Sequence, residues 1–80
     1  MTNVKKYIEV NPNVCHGQPC FAGTRIMVYL VLELLESGVD SSEILTRYYP
    51  KLTPKHIQAA LHFAADLIKN SESVPFAKIR

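Results

Sequence analysis

The alternation of apolar and polar positions changes period twice along this chain. Tyr7-Ile8-Glu9-Val10 alternates with a period of two and carries β-branched residues, which predicts a short strand ending at Asn11-Pro12. From about Met27 the period lengthens. Val28, Val31, Leu32, Leu34 and Leu35 form a broad helical stripe, with Glu33 and Glu36 outside it. Gly38 stops this helix, and Val39 is placed to fold back on Leu34 in a Schellman ending. Asp40 reads as the N-cap of a second helix, with Glu43 completing a capping box and Val39 and Ile44 a hydrophobic staple. Ile44, Leu45 and Tyr48 are its expected inner face, and Pro50 ends it. Thr53-Pro54 opens a third helix, with Leu52 and Ile57 repeating the staple. Ile57, Ala60, Leu61, Ala64 and Ile68 predict its buried face, as far as about Asn70.

Between strand and helices lies Asn11 to Val28, which holds two of the 3 glycines, both cysteines and two of the 5 prolines. Gly17-Gln18-Pro19 and Ala22-Gly23-Thr24 each read as turns, because glycine admits positive φ and proline sets φ near −65°. The short apolar pieces Cys20-Phe21 and Ile26-Met27-Val28 predict a hairpin-like loop capping the helical body. The whole reads as one domain over residues 1–70, mostly α, with a short N-terminal β-strand or hairpin loop. Helix, short link, short helix, short link and longer helix is the layout of a three-helix bundle containing a helix-turn-helix. Residues 71–80 have no periodicity and read as a flexible tail, in which Val74, Phe76 and Ile79 offer apolar anchors.

Composition narrows the class. Eighty residues that are 48% apolar and 20% charged make a globular domain with a small core. The expected stability is about 5 kcal/mol, and dimerisation is a common remedy for so small a core. No apolar run approaches the length of a membrane span, and MTNVKKYIEV contains no signal-peptide core, so a cytoplasmic location is expected. A net charge of +2 permits nucleic-acid binding without arguing for it.

The candidate chemistry is sparse. Cys15, His16 and Cys20, with His56 or His62 as a remote fourth, lack the paired spacing of a structural zinc site, and both cysteines read as small buried hydrophobes. In a reducing cytoplasm they are thiols; an oxidising compartment would allow a small-loop disulfide. Adjacent Cys and His residues rarely set a base against a thiolate, and there is no Ser-His-Asp set, carboxylate pair or phosphate loop. No enzymatic activity, cofactor or metal is therefore expected. If the third helix reads DNA, Lys55, His56, Gln58, Ala59 and His62 are its exposed N-terminal residues, and Arg25, Arg47 and Lys51 are phosphate contacts. The alternative is a solvated helix face. For Arg25 a structural role is expected: an ion pair with Asp40 or Glu43 that locks the loop onto the helices. Gly17, Pro19, Gly23, Thr24 and Arg25 are the residues expected to shape the loop.

Taken together, Asn11-Pro12, Gly17-Gln18-Pro19, Gly23-Thr24-Arg25, Gly38, Glu43-Ile44-Leu45, Tyr49-Pro50-Lys51-Leu52-Thr53 and Ile57 to Leu61 resemble the "domain of unknown function 433" family over roughly Tyr7 to Ala65. The departure is Cys20-Phe21, where plain aliphatic residues are expected. The resemblance implies a homeodomain-like fold, often dimeric, and an antitoxin of the VapB-like kind that silences a PIN-like nuclease toxin and represses its own operon. Val74, Phe76, Lys78, Ile79 and Arg80 are then the expected toxin-binding residues: apolar anchors with cationic tips that enter the nuclease's carboxylate cluster and order on binding. A stand-alone DNA-binding regulator and a protein-only interaction module are the alternatives. A dimer would form through the Tyr7–Val10 strand edge or through the apolar surplus of the first long helix.

Overall fold

The computed structural model describes residues 4–70. Within them the chain is mostly helical, with a two-stranded antiparallel hairpin. The order is α1 (Val4–Tyr7), β1 (Ile8–Glu9), a 3-10 turn (Cys15–Gly17), β2 (Cys20–Phe21), α2 (Val28–Glu36), α3 (Ser41–Glu43) running into a π-helical turn (Ile44–Tyr48), and α4 (Pro54–Lys69). The tail, with the expected toxin-binding residues Val74, Phe76, Lys78, Ile79 and Arg80, lies outside the described residues.

The N-terminal strand is shorter than its alternation predicts. Tyr7 belongs to the helical turn α1, and Val10 is exposed. Only Ile8 and Glu9 pair, opposite Phe21 and Cys20. One edge of β1 is thus already occupied by β2, and so short a strand has little left with which to pair a second copy.

Helix ends follow their local chemistry. Gly38 has φ +98°, Val39 N–H donates to Leu34 O at 3.0 Å, and Gly38 N–H donates to Leu35 O at 3.1 Å. These are the two bonds of the Schellman ending. At α3 the expected capping box does not form. Asp40 instead accepts from Ser42 Oγ at 3.0 Å, and Glu43 turns to Arg47 at 3.2 Å. At α4 a box does form, through a residue not foreseen in it. His56 Nδ1 accepts the Thr53 N–H at 3.0 Å and lies 2.9 Å from Thr53 Oγ1. Imidazole here fills the place usually held by Glu or Gln.

Two predicted faces are rotated. Tyr49 N–H reaches back five residues to Ile44 O at 2.8 Å, so the turn is wider than an α-turn. The wider turn brings Tyr49 onto the core in place of Tyr48, which is exposed. In α4, Ile57, Ala59 and Ala60 are buried and Phe63 packs beside them. Leu61 and Ile68, expected inside, are 50% and 59% exposed, and Leu67 is 59% exposed.

The core is Ile8, Phe21, Val28, Val31, Ile44, Leu52, Ile57, Ala59 and Ala60. It gathers the hairpin, α2 and the first half of α4 around Phe21, whose side chain is fully buried. None of the described helices is long and apolar enough to cross a membrane.

Candidate functional site

The hairpin that feeds Phe21 into the core also builds the most constructed surface of the molecule. Phe21 N–H donates to Ile26 O at 2.9 Å, and Ala22 N–H donates to Tyr7 O at 2.9 Å. Thr24 closes the turn twice over: its hydroxyl donates to Phe21 O at 2.7 Å and accepts the Ile26 N–H at 3.0 Å. Gly23, at φ +78°, makes the reversal, a conformation that costs any residue with a Cβ. Pro19 contributes its carbonyl, which accepts the Val28 N–H at 3.0 Å and fixes the entry to α2. Gly17, at φ +80°, ends the preceding turn.

Arg25 emerges exposed from this rigid turn. The ion pair expected with Asp40 or Glu43 is absent, because local partners two and four residues away already engage those carboxylates. Arg25 instead lines an open cleft of about 500 Å³ together with Glu9, Val14, Gly23, Thr24 and Lys51. Residues 25 and 51, far apart in sequence, thus present two cations to one cleft. Arg25 and Lys51 belong to no ion pair among the described residues.

The expected nucleic-acid residues of α4 divide into two groups. Lys55 and Gln58 are exposed, and Gln58 borders a hollow of about 290 Å³ with Ser41, Ser42, Leu45, Pro54 and Ile57. Lys51 is exposed just before the helix. Ala59, expected on the outer face, is fully buried. His56 is held by Thr53, and its ring meets Tyr7 edge-on at 5.0 Å and Phe21 at 5.6 Å. Desolvation lowers its pKa below the ordinary 6.5, which keeps Nδ1 free to accept. His62 lies 3.3 Å from Asp66, and Arg47 is 3.2 Å from Glu43. Among the described residues, no three His, Cys, Asp or Glu side chains come together as metal ligands.

A second surface joins the expected apolar surplus of α2 to an unforeseen one on α4. Tyr29, Leu61, Leu67 and Ile68 are exposed, and Pro19, Tyr29, Leu32, Phe63, Ala64 and Leu67 surround an apolar hollow of about 270 Å³. The signal for it lay in the surplus of the α4 pattern: apolar residues at 57, 60, 61, 63, 64, 67 and 68 exceed what one buried stripe can take.

Comparison with known proteins agrees with this architecture. The family model of DUF433, proteins of unknown function, matches residues 8–64, and the chain belongs to that family. The crystal structure of a DUF433 member protein from Anabaena variabilis is similar, with a TM-score of 0.73 and 30% sequence identity, over 82% of this chain. The match spans 64% of that longer protein. No curated protein matches this sequence significantly.

Proposed function

We propose that this protein is an antitoxin-type regulator that binds and neutralises a PIN-like nuclease through its apolar surface. The single observation that carries the reading is the exposed apolar row of α4, Leu61, Leu67 and Ile68, beside the hollow under Tyr29. Side chains of this kind on so small a molecule suit burial by a protein partner. In this reading residues 71–80 reach the partner, where Phe76 and Ile79 anchor the tail and Lys78 and Arg80 act at its carboxylates. The chain works as a cytoplasmic homodimer. The test is co-purification from the native operon with only this protein tagged, followed by mass determination. A stoichiometric nuclease supports the proposal; a clean homodimer, with the neighbouring product expressed but absent, overturns it.

Operator binding is the second reading, with α3 and α4 as a homeodomain-like helix-turn-helix. What favours it is the meeting of Arg25 and Lys51 in one cleft, with Lys55 and Gln58 exposed beyond it. Phosphate contacts release counterions, so Lys51→Ala lowers the log–log salt slope of operator binding by about one for each bound copy. A binding constant that does not change with salt sinks this reading.

A further inference from the structure

We propose that Cys15 and Cys20 form an oxidisable dithiol, a modification site at which a hydroperoxide closes a reversible disulfide across the loop. Cys20 is fully buried in β2, set between Glu9 in β1 and Met27, with which it forms an isolated bridge. Cys15 approaches from the 3-10 turn and is partly exposed. Its approach depends on an unusual backbone. Cys15 and His16 have φ +53° and +56°, and Gly17 follows at +80°. Two successive left-handed residues with side chains are disfavoured, and such strain persists where the surroundings hold it for a purpose. Here it turns the Cys15 thiol inward, to donate to Arg25 O at 3.5 Å. That carbonyl lies two residues before Met27, the bridge partner of Cys20, so both cysteines are held against one short segment, and Cys15 is the neighbouring side chain that acts on the Cys20 thiol. Cys20 is buried and Cys15 is not, so Cys15 meets an oxidant first; burial, and then the neighbouring Cys15, also push the Cys20 thiol above its ordinary pKa.

The chemistry divides accordingly. The accessible Cys15 thiolate attacks the peroxide O–O bond, becomes a sulfenic acid, and releases an alcohol, or water when the oxidant is hydrogen peroxide. The Cys20 sulfur then displaces the sulfenic oxygen. The S–S bond forms, the S–O bond breaks, and that oxygen leaves as water with the Cys20 proton. Two thiols are oxidised and one peroxide is reduced. Closure removes the proton that Cys15 donates to Arg25 O, and so reports to the cleft that Val14 and Arg25 line. This inference does not depend on the identity of any partner.

The test treats the full, reduced chain with one equivalent of hydrogen peroxide. The expected product is a monomer lighter by two hydrogens, with no titratable thiol and a Cys15–Cys20 cross-linked peptide, and dithiothreitol restores it. In Cys20→Ala, checked for folding by circular dichroism, dimedone traps a sulfenic acid on Cys15 that the wild type does not retain. If that variant does not fold, iodoacetamide labelling of the native wild type supplies the second arm, and Cys15 must label well before Cys20. The proposal is overturned by a wild type that keeps both thiols, by sulfinic acid on Cys15 with Cys20 still free, or by disulfides only between molecules.

Discussion

The hairpin end of the molecule and the C-terminal half of α4 contrast in an instructive way. The hairpin holds the irregular stretch of sequence, yet Cys20 and Phe21 are fully buried there and Thr24 satisfies two backbone groups. The α4 half is the most regular stretch, yet Leu61, Leu67 and Ile68 stand at least half exposed. Regular periodicity marked Val28, Val31, Ile44, Ile57 and Ala60 but overreached at Leu61 and Ile68, and loop composition did not mark the surface. In so small a protein, each buried position must come from whichever segment reaches the centre, and one fully buried aromatic ring outweighs several half-covered aliphatics.

The comparison breaks most cleanly at Phe21. Phe21→Ala removes the largest fully buried side chain and is expected to cost about 3–5 kcal/mol, comparable to the whole stability of a chain this size. Urea denaturation monitored by circular dichroism measures it, and a loss below about 1 kcal/mol would show that α4, not the hairpin, holds the core.

Thr24→Val comes next. It preserves shape while leaving the Ile26 N–H and one bond to Phe21 O unmade, at an expected cost of about 1–3 kcal/mol. The companion variant Thr24→Ser keeps the hydroxyl and should recover most of that loss in the same denaturation experiment.

His56 joins the two regions, and it sharpens the comparison through pH. Its folded pKa is lowered below 6.5, so the unfolded chain takes up its proton first as the solution is acidified. The stability that the neutral ring contributes is therefore complete above about pH 6.5 and is lost as pH falls through that value toward the folded pKa. His56→Gln keeps an acceptor for the Thr53 N–H but cannot titrate. Unfolding free energies measured from pH 8 to 5 should fall less for this variant than for the wild type; parallel curves would remove His56 from the account.

The smallest effect on stability belongs to the other region. Leu67→Gln and Ile68→Gln should each change stability by no more than about 0.5 kcal/mol, because little apolar contact is lost at exposed sites. If the proposed nuclease partner docks on this face, the same variants abolish its co-purification. Unfolding by more than 2 kcal/mol would mean that this face packs against the chain itself.

Legibility followed range. The Schellman ending at Gly38, the stop at Pro50 and the start at Thr53-Pro54 were readable because each depends on residues within a few positions. The turn about Gly23-Thr24 was readable for the same reason. The helical turn α1 carries no stop or start signal and was missed, although Tyr7 uses it to reach the His56 ring. The exchange of Tyr48 for Tyr49 followed from the wider π-helical turn, which no 3.6-residue period foretells. Arg25 was assigned to Asp40 or Glu43 on charge alone, but Ser42 and Arg47 reach those carboxylates locally. Of the candidate sites, the cations Arg25, Lys51 and Lys55 were legible as residue types; the cleft that gathers two of them was not.

By itself, then, the sequence determined the local elements: where the longer helices begin and end, where glycine supplies positive φ, and which segments carry apolar surplus. These depend on capping, steric freedom and hydrogen bonds that close within one or two turns. Tertiary structure decided which apolar residues of α4 are buried, which tyrosine enters the core, that His56 caps a helix in place of facing outward, and that residues 25 and 51 share a cleft. Those outcomes depend on which surfaces meet, and the same amphipathic pattern can satisfy its neighbours at more than one rotation until packing around Phe21 selects one.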